Sequence, residues 1–114
     1  MTSFEFGDIV LVPFPFTDQS TTKQRPAVVV SASTYNAERP DLIVMAVTSQ
    51  VRAENRFDIP LQHWQSARLI KPSVVKPVIA TLERRLVIKK LGRLVETDRQ
   101  TLVEGIGRML QCKT

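Results

Sequence analysis

The chain has little of what builds redox, metal or phosphate-loop sites: one cysteine, one histidine and four glycines in 114 residues. Cys112 has no partner within the chain, so an intramolecular disulfide framework is excluded and a reducing, cytoplasmic setting is expected. With His63 alone and no His or Cys pair at ligand spacing, neither a metal centre nor a cofactor is expected. Gly7, Gly92, Gly105 and Gly107 stand too far apart for a Gly-rich phosphate loop, and no serine sits in a nucleophile elbow. The longest apolar run, Leu42 to Val47, is far too short to span a bilayer. The opening Met1-Thr2-Ser3-Phe4-Glu5 lacks the basic residues and apolar stretch of a secretory signal, so no membrane association is expected.

What is present is an ordinary globular composition, 43% hydrophobic and 24% charged, at a length that suits one domain over residues 1–114. Sixteen Lys and Arg against eleven Asp and Glu give a net charge of +5. A basic surface concentrates polyanions, which admits nucleic acid as a partner, although charge alone fits a solvated surface equally well.

Short β-branched runs recur along the chain. Asp8 to Phe14 reads as a buried strand that must stop or bulge at Pro13 and Pro15. Phe16 to Gln24 is polar and reads as a hairpin loop, and Pro26 to Ser31 resumes the strand pattern. Asn36 to Asp41 reads as a second connection, and Leu42 to Thr48 as a strand apolar on both faces. Phe57 to Leu61 is a weaker strand candidate, followed by a turn or short helix at 62–67. Ser73 to Leu82 and Leu86 to Leu94 supply further extended segments around Glu83-Arg84-Arg85. The pattern predicts a mostly β fold, a small barrel or curled sheet.

The end changes character. Thr97 with Gln100 matches a capping box, and Leu102, Ile106, Met109 and Leu110 share a face at helical spacing, with Val103 beside them. Gly105 and Gly107 weaken that helix but allow it to lie close against a sheet. His63-Trp64 reads as a half-buried anchor, Phe14 and Phe16 as packing residues at the sheet end or a dimer seam, with stacking on RNA bases as the alternative, and Arg84-Arg85 and Lys89-Lys90 as solvated positions.

By elimination, any catalysis falls to Arg, Lys, Thr, Ser and carboxylates. RNA suits that toolkit, because its own 2′-OH can attack the adjacent phosphate once the bond is aligned and the phosphorane stabilised. Arginine presents planar, permanently charged donors to phosphate, and a hydroxyl adds another.

An ordered set of segments then resembles one family. Gly7-Asp8-Ile9-Val10-Leu11-Val12, a polar loop and Arg25-Pro26-Ala27-Val28-Val29-Val30-Ser31 are similar to the opening of MazF/PemK toxins. Val47-Thr48-Ser49-Gln50, Pro72-Ser73-Val74-Val75 and Leu91-Gly92-Arg93-Leu94 continue the likeness in order, over about residues 7–111. The resemblance implies an SH3-like, CcdB–PemK-type barrel of curled antiparallel strands with a C-terminal helix and one or two short helices. It further implies a homodimer, an endoribonuclease cutting single-stranded RNA to a 2′,3′-cyclic phosphate and a 5′-OH, and a small acidic antitoxin partner.

The family's catalytic arginine falls on Arg25 and its catalytic threonine on Thr48. Lys23, Ser49 and Gln50 would touch RNA. Some members carry a Glu before the Arg-Pro pair; here 19–24 has no carboxylate and Asp18 is the nearest. Two other readings stand beside this one: a non-catalytic nucleic-acid-binding barrel, and a gyrase-poisoning toxin of the same fold.

Overall fold

The computed structural model describes residues 3–14, 23–50 and 56–111. Six strands form one antiparallel sheet: β1 (Asp8–Phe14), β2 (Lys23–Val29), β3 (Asp41–Thr48), β4 (Ile59–Pro60), β5 (Val74–Glu83) and β6 (Lys89–Arg93). Their spatial order is β4-β5-β3-β2-β1-β6. Helix α1 (Ser33–Glu38) crosses between β2 and β3, a 3₁₀ turn at Arg84–Leu86 joins β5 to β6, and α2 (Glu96–Leu110) closes the described chain. The mostly β expectation holds, as a curled half-barrel rather than a closed one. Register shifts between Ile9 and Val10 and between Met45 and Val47 supply the local bends that curl it.

The apolar runs of β1, β2 and β3 are buried on both faces. Ile9, Val28 and Met45 point to one core with Leu94 and Leu102, while Val10, Val29 and Val44 point to the other with Phe4. Two buried faces explain why these strands show no polar alternation. The prolines are placed where a missing N–H costs little. Pro13 lies beyond the last β1–β6 pair, Leu11 with Lys89, and Pro26 lies one residue before the β2–β3 register begins at Ala27 with Ala46. The β1 strand therefore runs through Pro13 and reaches Phe14, whose side chain, with Phe16 and most of the 16–24 loop, falls outside the described residues.

Several sequence expectations change. Half of the connection read over Asn36 to Asp41, Asn36 to Glu38, belongs to helix α1, which begins earlier at Ser33 and buries Asn36. Asn36 donates to the carbonyls of Phe4 (3.0 Å) and Ser31 (3.1 Å) and accepts from Ser31 Oγ (2.5 Å), so one side chain satisfies three groups. The capping box does not form: α2 begins at Glu96 with Val95 at its N-cap and no side-chain cap. Glu96 and Asp98 in the first turn complement the helix dipole instead. On α2, Leu102 is buried and Ile106 and Met109 pack on the core, but Leu110 stays half exposed, as does Val103.

Gly105 does let α2 approach the sheet: it is buried, and an added Cβ would strike the side chain of Ile59 in β4. Gly92 of β6 is less forgiving, since a Cβ there would lie 2.5 Å from the backbone oxygen of Ala67, which cannot swing aside as a side chain can. These two contacts seat the 62–68 turn against β6 and β4 against α2. Trp64 is half buried against the core as expected, whereas His63 beside it is exposed.

Buried Asp8 ties β1 to β6. Its carboxylate accepts from Arg93 Nε (2.9 Å) and the Glu5 amide (2.9 Å), and pairs with Lys90 Nζ (3.2 Å). Arg93 also meets Glu5 at 2.7 Å, and these hydrogen bonds, Asp8's first, raise its pKa above the usual guanidinium value. Among the outer basic residues, Arg85 pairs with Glu83 (2.5 Å) and Arg39 with Asp41 (2.9 Å). The Arg39 hydrogen bond is the chief cause that holds the Asp41 carboxyl below its ordinary pKa. Arg84 is not merely solvated, since its guanidinium donates to the Arg39 carbonyl.

Candidate functional site

Where β2 begins and its antiparallel neighbour β3 ends, a cleft of about 260 Å³ opens. Arg25 and Pro26 of β2 line it, with Val47 and Thr48 of β3 and then Ser49 and Gln50 beyond the strand. Leu69, Ile70, Lys71 and Ser73, from the segment leading into β5, complete it. Arg25 and Thr48 stand two residues beyond the Ala27–Ala46 pair on neighbouring strands, so the two-residue strand period puts both on the same side of the sheet.

Each side chain is held by its element. Arg25 is half buried, in register with Val12 of β1 on its other side. Thr48 is half buried and pairs with Val74 of β5. Its Oγ1 accepts from the Gln50 amide (3.1 Å), a local hydroxyl bond of the kind common at strand ends. That bond occupies an acceptor site and leaves the hydroxyl hydrogen to donate. Ser49 and Gln50 are exposed.

The opposite wall is fixed as well. Buried Ser73 donates from Oγ to the Lys71 carbonyl (2.8 Å), and its own carbonyl accepts from the Leu61 amide (3.1 Å). Lys71 and Ile70 are exposed, Ile70 by 87%.

Of the residues singled out in the sequence, Arg25, Thr48, Ser49 and Gln50 come together around this one cleft. Lys23 begins β2, two residues from Arg25, but its side chain lies outside the described residues, as does Asp18. Lys71, Ile70 and Leu69 were missed. The available signal was the Lys71-Pro72-Ser73 step into β5, where Ser73 already belongs to one of the recognised segments.

The cleft's chemistry is that of an anion site. It carries arginine, lysine, three hydroxyl side chains and an amide, and none of its lining residues is a carboxylate. Among the described residues no group of three His, Cys, Asp or Glu side chains gathers as a metal site, and no helix is long and apolar enough to cross a membrane.

The fold has close counterparts among solved structures. An endoribonuclease in complex with its cognate antitoxin, from a mycobacterial species, superposes with a TM-score of 0.77 at 13% identity, covering 100% of this chain and 99% of that one. The Mycobacterium tuberculosis toxin MazF-mt6 gives 0.76 at 19% identity, covering 94% and 99%. The MazE-MazF structure from Deinococcus radiodurans gives 0.78 at 18% identity, covering 99% and 100%. At such low identity these likenesses speak for the fold alone. No curated protein sequence is similar enough to match. A family model described as the PemK-like, MazF-like toxin of type II toxin-antitoxin systems matches residues 5–110. The chain therefore belongs to the PemK/MazF family of toxins.

Proposed function

We propose that this toxin is a metal-independent endoribonuclease that cuts single-stranded RNA at a short sequence, leaving a 2′,3′-cyclic phosphate and a 5′-OH. The observation that carries the reading is the convergence of Arg25 and Thr48, from two strands, on one cleft. In the reaction the 2′-OH gives up its proton to water as its oxygen bonds to phosphorus, and negative charge builds on the phosphorane oxygens. The P–O5′ bond then breaks, with the 5′-oxygen taking a proton from water to leave as the 5′-OH. Arg25 supplies a permanent, planar donor to those oxygens, and Thr48 donates its remaining hydroxyl hydrogen to the phosphate. Ser49, Gln50 and Lys23 hold the flanking RNA.

In this reading the toxin acts in the cytoplasm as a homodimer. A small acidic antitoxin blocks the basic cleft by mimicking a polyanion. Co-expression of that antitoxin is expected to restore growth arrested by the toxin alone; arrest that persists despite bound antitoxin would sink this part.

The decisive experiment incubates purified protein with single-stranded RNA in excess EDTA and identifies the ends of the products. Cyclic phosphate and 5′-OH ends formed under chelation are expected. Activity abolished by EDTA and restored by a divalent ion would overturn the mechanism. RNA bound but left intact would mark a nucleic-acid-binding barrel, and RNA ignored would leave the gyrase poison.

A further inference from the structure

Lys71 enters the same cleft from the flank opposite Arg25. Strand order makes this a consequence of topology, since β3 lies between β2 and β5. Arg25 sits on β2, Thr48 ends β3, and Lys71 precedes the Val74 that pairs with Thr48. The two cations therefore rise from backbone segments about two strand spacings apart, roughly 10 Å. Such a span suits neighbouring phosphates of one strand better than two oxygens of one phosphate.

The wall is built before any ligand arrives. Ser73 Oγ holds the Lys71 carbonyl at 2.8 Å, and the Leu61 amide holds the Ser73 carbonyl at 3.1 Å. Lys71 forms no ion pair among the described residues, whereas Arg39, Arg85, Lys90 and Arg93 each meet a carboxylate. Lys90 and Arg93 of β6 are thus matched within the fold, whereas Lys71 at the cleft, like the outlying Lys76 and Lys89, is not.

We infer that Lys71 is an RNA-backbone contact, binding the phosphate next to the scissile one while Arg25 serves the scissile phosphate itself. The inference rests on the endoribonuclease reading for which phosphate is which. Its binding content can be tested without cleavage. Lys71 acts as a point charge on a flexible stem, so Lys71→Arg should preserve what Lys71→Ala loses.

The experiment measures anisotropy of a labelled random-sequence RNA pool with 2′-O-methyl riboses, which cannot be cut, across a salt series. Lys71→Ala should weaken binding severalfold and flatten the log–log salt slope by about 0.7, the value of one phosphate contact on a single strand. Lys71→Arg should keep the wild-type slope. Lys89→Ala, an exposed lysine on β6, should leave it unchanged, with melting temperature as the folding control.

A Lys71→Ala slope equal to the wild type's, or a Lys89→Ala change just as large, would overturn the inference. Wild-type protein that binds but never cuts natural RNA would instead sink the nuclease reading and leave the contact standing. Wild-type protein that binds no RNA at any salt concentration would overturn both.

Discussion

The carboxylate of Asp98, in the first turn of α2, accepts hydrogen bonds from the backbone amides of Gln62 (3.1 Å) and His63 (2.9 Å). A helix side chain thereby caps a turn more than thirty residues earlier, and that turn leads directly into the Leu69–Ser73 wall of the cleft. Asp98 is 1% exposed, so water cannot replace it.

Loss of that clamp should be costly. Asp98→Ala is expected to destabilise the fold by about 2–4 kcal/mol, the scale of losing charge-assisted bonds to two amides in a partly buried setting. Thermal unfolding should shift down by roughly 10 °C or more. Asp98→Asn keeps one acceptor and should lose about half as much. A wild-type melting temperature in Asp98→Ala would show that the turn is held by Trp64 and Ala67 packing alone.

Arg25→Ala should reduce cleavage by about a hundredfold or more, as for one preorganised donor removed from a developing charge. Arg25→Lys should rescue poorly, because an ammonium keeps the charge but loses the planar fork. Single-turnover cleavage of a short RNA, with melting temperature beside it, reads both. An Arg25→Ala protein that melts and cuts like the wild type would remove Arg25 from the active site.

Thr48→Ala is expected to cost less, about tenfold, since a neutral hydroxyl donates a weaker hydrogen bond than a guanidinium. The lost Thr48–Gln50 bond also releases the start of the segment beyond β3, so Thr48→Ser should recover most of the rate. Equal defects in Thr48→Ser and Thr48→Ala would point to the methyl group's packing and not to the hydroxyl.

Asp8→Ala should strip Arg93 and Lys90 of a buried partner and destabilise the β1–β6 edge. Breaking a buried pair costs about 3–5 kcal/mol; here the cations are partly solvated, so about 2–3 kcal/mol is expected in a denaturant titration. Little loss would mean that Arg93 is held by Glu5 alone.

Much of this was legible in the sequence because it is local. The β-branched runs gave the strands of the sheet, and their lack of polar alternation already implied burial on both faces, as β3 shows. Arg25, Thr48, Ser49 and Gln50 could be named from short motifs, and the structure gathers those four around one cleft. The absence of ligand-spaced His and Cys was a matter of counting.

What tertiary structure alone decided lies in contacts between distant segments. The Thr97–Gln100 pattern satisfied every local rule for a capping box, yet α2 begins before it at Glu96, and Asp98 inside the pattern serves another turn. No sequence pattern singled out Lys71, and only the placing of β5 beside β3 brought it to the cleft. Periodicity and caps report the conformation of a few consecutive residues; which donors and charges meet across the sheet depends on strand order, which no local pattern carries.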